Sequence, residues 1–210
     1  MEVRISPDNL PGTLLLPAQP QAVIAFAHGS GSGRFSPRNR QVAARLREES
    51  LATLLFDLLT VEEADDRRNV FDIALLAQRL GQAVAFLDEH PATRTLPIGL
   101  FGASTGAAAA LVAAAQRPGQ ISAVVSRGGR PDLAGDALPA VRAPTLLIVG
   151  GADTEVLMLN RAAARQMNCT CDLAVVPHAT HLFEEPGALE QVAELAARWF
   201  GTHCWPQPGR

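Results

Sequence analysis

A lone serine stands between glycines in Gly102-Ala103-Ser104-Thr105-Gly106, after the apolar run Ile98–Phe101 and just before the alanines that begin at Ala107. In a strand-to-helix turn of the form G-x-S-x-G, the serine projects from a strained backbone and the glycines keep other side chains clear of the turn. The helix that starts there offers unpaired N–H groups and a partial positive charge, which favour a developing anion nearby. A serine hydroxyl is a weak nucleophile at neutral pH, so it needs a base, and the base needs a partner that orients it. The bland alternative is a glycine-lined turn in which Ser104 only caps the helix.

The elbow predicts that an acid and then a histidine follow along the chain. Asp153 comes just after the run Thr145–Val149, and His181 comes after Leu173–Val176 and before the last helical pattern. Ser104, Asp153 and His181 are therefore the expected nucleophile, acid and base. Glu155 and His178 compete. Glu155 lies further from its strand end, and His178 directly follows Pro177, too soon to reach over the sheet. Asp57, at the end of the run Thr53–Phe56, is read as a structural hydrogen-bonding group.

A tetrahedral intermediate also needs two preorganised donors. The expected pair is the backbone N–H of Thr105, next to the nucleophile, and that of Ser30, in the loop His28-Gly29-Ser30-Gly31-Ser32-Gly33; Gly31 is the second choice. The same loop superficially suggests a phosphate cradle, but it has neither the Walker lysine nor the dinucleotide spacing. Arg34 and Arg38 follow this loop, and Arg127 and Arg130 follow the run Ala123–Val125. Arginine forks suit carboxylate or phosphate, so Arg34 and Arg127 are candidate contacts to an anionic substrate group. The competing reading is that these arginines pin loops by pairing with residues such as Asp132 or Glu184. Phe35, Leu133 and Phe183 are candidate apolar walls of a pocket.

Groups so far apart in sequence can meet only if the fold gathers strand ends. Apolar runs at Thr13–Leu16, Val23–Ala27, Thr53–Phe56, Ile98–Phe101, Ala123–Val125, Thr145–Val149 and Leu173–Val176 alternate with helical patterns at Arg38–Glu49, Asp72–His90, Thr105–Arg117, Val156–Met167 and Gly187–Phe200. Strands apolar throughout belong to parallel sheets covered on both faces, and ligands sit beyond the carboxyl ends of such strands. The expectation is an α/β class protein: a mostly parallel central sheet with helices on both faces. The stretch Arg130–Ala143 is expected to loop over the sheet top and is too short for a large helical cap, so the lid is minimal. One domain is expected over 1–200, with a frayed tail over 201–210.

Composition sets bounds on function. The chain has 210 residues, 48% hydrophobic and 19% charged, with a net charge of -3, so no broad electrostatic grip on nucleic acid is indicated. Its three cysteines do not make a disulfide framework. The first residues lack a secretory pattern, and no apolar segment nears the ~20 residues that span a bilayer. A cytoplasmic protein without membrane attachment is expected. Cys169, Cys171, His178 and His181 are zinc-type ligands, but in no usual zinc spacing.

With the elbow, HGSGSGRFSPRNR, SRGGRPDL, TLLIVGGAD and HLFEEPG in view, the chain resembles the α/β-hydrolases, and more narrowly the dienelactone hydrolase-like family. The resemblance runs from about Val23 to Phe200 and implies an ester or lactone hydrolase. It supports Ser104, Asp153 and His181 as nucleophile, acid and base. It departs at the elbow, where dienelactone hydrolases carry cysteine. Some relatives of this subgroup are joined to a phosphoribosyltransferase domain. The expected activity is hydrolysis of small soluble esters through an acyl-enzyme, with no cofactor and no metal; a homodimer is compatible with the sequence. Acyl transfer, peptide hydrolysis by the same triad and a non-catalytic binding module are the alternatives.

Overall fold

The computed structural model describes residues 1–205. Eight strands form one sheet: β1 (Glu2–Ile5), β2 (Leu10–Leu15), β3 (Ala22–Ala27), β4 (Leu51–Phe56), β5 (Ile98–Ala103), β6 (Ile121–Arg127), β7 (Thr145–Gly150) and β8 (Cys171–Val176). Their spatial order is β1-β2-β4-β3-β5-β6-β7-β8. The first two strands pair antiparallel, and all pairings from β4 to β8 are parallel. β3, β4, β5 and β7 are buried along their whole length, as their unbroken apolar runs require.

Helices α1 (Pro37–Glu48) and α7 (Ala188–His203) cover one face. There they bury Ile24, Phe26, Phe101, Val125 and Phe200, with the rings of Phe26 and Phe101 4.8 Å apart. Helices α4 (Ile73–Glu89), α5 (Thr105–Gln116) and α6 (Thr154–Ala164) cover the other face, where the alanines of α5 let it lie close to the strands. Local chemistry starts the helices where they start. Ser36 Oγ accepts the N–H of Asn39 ahead of Pro37, and Asp72 accepts the N–H of Leu75 at the head of α4.

Several expectations need correction. β1 is absent from the sequence reading because four residues with a charge on every second position carry little apolar signal. Two short helices, α2 (Val61–Ala64) and α3 (Arg67–Val70), occupy the charged stretch between β4 and α4. Thr60 and Glu63 close a reciprocal capping box on α2, satisfying two helix-end donors. The expected loop at Arg130–Ala143 holds a 3-10 segment, Pro131–Ala140, kinked at Gly135 and packed against α5 and α6. The tail expected from Gly201 continues as helix to His203, with Cys204 buried; residues 206–210 lie outside the described residues.

Candidate active site

The backbone at Ser104 has φ +52° and ψ -121°, a left-handed conformation that costs about 1–3 kcal/mol in a non-glycine residue. The neighbouring glycines are dictated by space. A Cβ at Gly102 would stand 2.4 Å from Ala107 Cα, and one at Gly106 would stand 2.2 Å from the carbonyl oxygen of Ala27. The turn therefore closes only with glycine on both sides. Ser104 makes no side-chain cap bond to its helix, which removes the capping role as the reason for a serine there. Its backbone is tied down instead: its N–H donates to Arg127 O at 3.2 Å, and its carbonyl accepts from Arg130 N–H at 3.1 Å.

Asp153 and His181 meet. His181 Nδ1 lies 2.7 Å from Asp153 Oδ2, with Asp153 largely buried and the imidazole partly open to solvent. That contact fixes the ring and directs the other nitrogen away from the carboxylate. The loop carrying His181 rests on the chain that holds Ser104. A Cβ on Gly128, one residue past Arg127, would lie 3.6 Å from His181 Cε1. The loop after β3 arrives from the other side, where a Cβ on Gly29 would stand 3.0 Å from Ser104 Cβ. The loops that carry Ser104, His181 and the predicted oxyanion donors thus meet at one end of the sheet; Asp153 and His181 are in contact, while the Ser104 hydroxyl makes no hydrogen bond to His181 among the described residues. Glu155 and His178 are exposed and outside this contact. Asp57 is structural: it accepts the Arg34 N–H at 2.7 Å and approaches Arg34 Nε at 3.3 Å.

The two predicted oxyanion donors are adjacent but not both free. Thr105 opens α5, so its N–H has no partner within the helix. The N–H of Ser30 donates to the Thr105 hydroxyl at 3.1 Å. That hydroxyl occupies the acceptor position which a substrate oxygen would have to take over.

The four arginines separate into two kinds. Arg34 pairs with Glu2 and Asp57, Arg38 with Glu184 at 3.2 Å, and Arg130 with Asp132 at 2.8 Å; these pin loops. Arg127 is 8% exposed, and its buried Nε and Nη1 have no acceptor. Burial, with the like charge of Arg38 adding, pushes its pKa down to about 10. The guanidinium stays charged near neutral pH without a carboxylate beside it.

Two apolar expectations fail. Phe183 is 2% exposed and belongs to the core between α7 and the sheet, so it is no pocket wall. Phe35 lies under Arg34, whose guanidinium sits 4.3 Å from the ring centroid, in a small groove lined by Arg40 and Arg47 and apart from the triad. Arg34 is likewise turned toward β1 and Asp57 rather than toward Ser104. The residues missed by sequence reasoning are Leu58, Leu59 and Leu76, which line a cavity beneath the rim built by α2, α3 and the start of α4. The signal that could have found this folded stretch is the Thr-x-x-Glu capping pattern from Thr60 to Glu63.

The zinc alternative loses its geometry. Cys169 and Cys171 sit at the start of β8, whereas His178 and His181 follow its end, about 20 Å away along a six-residue strand. Among the described residues no group of three or more histidine, cysteine or acidic side chains is placed to hold a metal ion. No helix among them is long and apolar enough to cross a membrane.

Residues 20–196 match the family model described as an alpha/beta hydrolase domain. The solved structure of a dienelactone hydrolase from Anabaena variabilis is 53% identical, covers 97% of this chain and 96% of its own, and superposes with a TM-score of 0.93. Est1E from Butyrivibrio proteoclasticus shares the fold at 17% identity and a TM-score of 0.81, with 96% of this chain and 98% of its own covered. Two proteins from strains of Mycobacterium tuberculosis, which bear the provisional name phosphoribosyl transferase, are 58% identical over 99% of this chain. The chain spans about half the length of those two relatives, 47%.

Proposed function

Because the chain belongs to the α/β-hydrolase family, we propose that it is a serine hydrolase that cleaves small carboxylic esters or lactones through an acyl-enzyme. The observation that carries this reading is the hydrogen bond between His181 and Asp153, 2.7 Å long, beside a serine locked in the strained elbow. His181 takes the proton of Ser104 as Oγ attacks the carbonyl carbon. The oxyanion is held by the Thr105 N–H and by the Ser30 N–H, which exchanges the Thr105 hydroxyl for the substrate oxygen. His181 then gives the proton to the leaving oxygen as the C–O bond breaks. Water enters by the same route, its proton passing to His181 and back to Ser104 as the acid departs. Asp153 stabilises the imidazolium at both stages.

The transferase name belongs to proteins about twice as long, and the part this chain matches is the hydrolase domain described above. Arg127 supports a substrate that carries an anionic group, because a buried guanidinium without a partner is costly unless a ligand supplies one. Hydrolysis of p-nitrophenyl acetate by the wild-type chain, and its loss in a folded Ser104→Ala variant, tests the reading. Near wild-type turnover by Ser104→Ala would defeat it.

A further inference from the structure

A cavity of about 600 Å3 opens beside the elbow, between the β1–β2 hairpin, the segment from Asp57 to Ala64, and the loop after β3. Its size is that of a small-molecule site. Ser30 and Thr105, the two proposed oxyanion donors, stand on its wall; Ser104, next to Thr105 in the chain, and His181 do not. Its floor is Leu58, Leu59, Leu76 and Val70.

Three of the polar groups around this floor, Asp8, Asp57 and His28, have partners within the protein. Asp8 pairs with buried Arg79 and accepts from Gln82 at 2.7 Å, and Asp57 holds Arg34. His28 accepts the Leu58 N–H at Nε2, 3.1 Å, so its proton sits on Nδ1 facing Gly29 O at 3.0 Å. Burial moves the His28 pKa below its usual value, so this imidazole is uncharged at neutral pH. Arg4, Asn9, Ser32 and Glu62 also line the cavity, so its apolar part is the floor of Leu58, Leu59, Leu76 and Val70.

The direction of the reaction then decides which part of a substrate belongs there. His181 must stand at the leaving oxygen to protonate it, so the alcohol lies on the imidazole side. The group on the opposite side of the carbonyl, beyond the oxyanion donors, is the acyl chain. We propose that this cavity is the acyl pocket and that it selects esters of medium-length aliphatic acids over acetate. This rests on the serine-hydrolase reading, and its failure can be told apart from the failure of that reading.

The test compares kcat/KM for p-nitrophenyl acetate, butanoate and hexanoate in wild type, in Ala64→Trp, which fills the cavity from an exposed rim position, and in Met158→Trp, a surface control on α6. Each methylene buried is worth up to about fourfold. Wild type should prefer hexanoate, Ala64→Trp should lower the hexanoate-to-acetate ratio at least tenfold, and Met158→Trp should keep it. A flat wild-type profile, or an unchanged ratio in Ala64→Trp, overturns the pocket while leaving the hydrolase reading intact. A second readout needs no turnover. In Ser104→Ala, saturation-transfer NMR should show contact with methyl hexanoate but not with methyl acetate, and adding Ala64→Trp should remove it. Equal signals from both esters, or a hexanoate signal that survives the filling, overturn the pocket whatever the catalytic result.

Discussion

The elbow and the cavity beside it are built on opposite principles. Around Ser104 every contact is prescribed: two glycines where no Cβ fits, a backbone tied to Arg127 and Arg130, and a histidine fixed by Asp153. The rim of the cavity is two four-residue helices held by a capping box and a few ion pairs. Such a division leaves the reacting geometry rigid and lets the adjoining rim vary, because loops and short helices carry few buried contacts. It teaches that substitutions at the elbow should strike rate and stability, and substitutions at the rim should strike selectivity.

The sharpest way to break that contrast is chemical. Asp153→Asn should cut kcat about 10^4-fold with the fold retained, because the imidazole loses both its orientation and its counter-charge. Circular dichroism alongside ester turnover checks it; a loss under tenfold would leave Asp153 with a packing role only. Next in size is Arg127→Ala, which should lower kcat/KM for carboxylate-bearing esters about 10- to 100-fold relative to neutral esters of the same length. Equal effects on both would make Arg127 a structural residue. Gly106→Ala should destabilise the chain by about 2 kcal/mol or more, since a Cβ there meets the backbone of Ala27 at 2.2 Å. Denaturant titration reads this, and a neutral result would show that the elbow can relax.

The smallest expected effect concerns His28. Its folded pKa is depressed below 6.5, chiefly by burial, so the unfolded chain binds the proton more readily. The stability this histidine contributes is present above pH 6.5 and is lost as the pH falls below that value. Urea midpoints from pH 7.5 to 5 should decline less steeply in His28→Gln than in wild type; parallel curves would contradict the assignment.

The same contrast explains what the sequence could tell. The places of Ser104, Asp153 and His181 beyond their strands, and the meeting of Asp153 with His181, were legible because each residue follows an unbroken apolar run, and strand ends in a parallel sheet converge. The α/β layering was legible for the same reason. The acyl side was not, because Leu58, Leu59 and Leu76 become a wall only when Val61–Val70 folds over them, and that stretch reads as charged loop. Phe183 misled because its place after His181 suggested the pocket, whereas its left-handed backbone, φ +56°, turns the ring into the core. Arg34 and Arg127 looked alike in sequence; only the positions of Glu2 and Asp57 separate the pinned one from the unpaired one.

The central claim is that Ser104 is activated by His181 and Asp153. Intact-protein mass spectrometry after treatment with a fluorophosphonate tests it most directly. The account predicts one adduct on wild type, mapped to Ser104, and labelling slowed by orders of magnitude in a folded Asp153→Asn variant. An unlabelled wild type, or equal labelling rates in the two proteins, would contradict it.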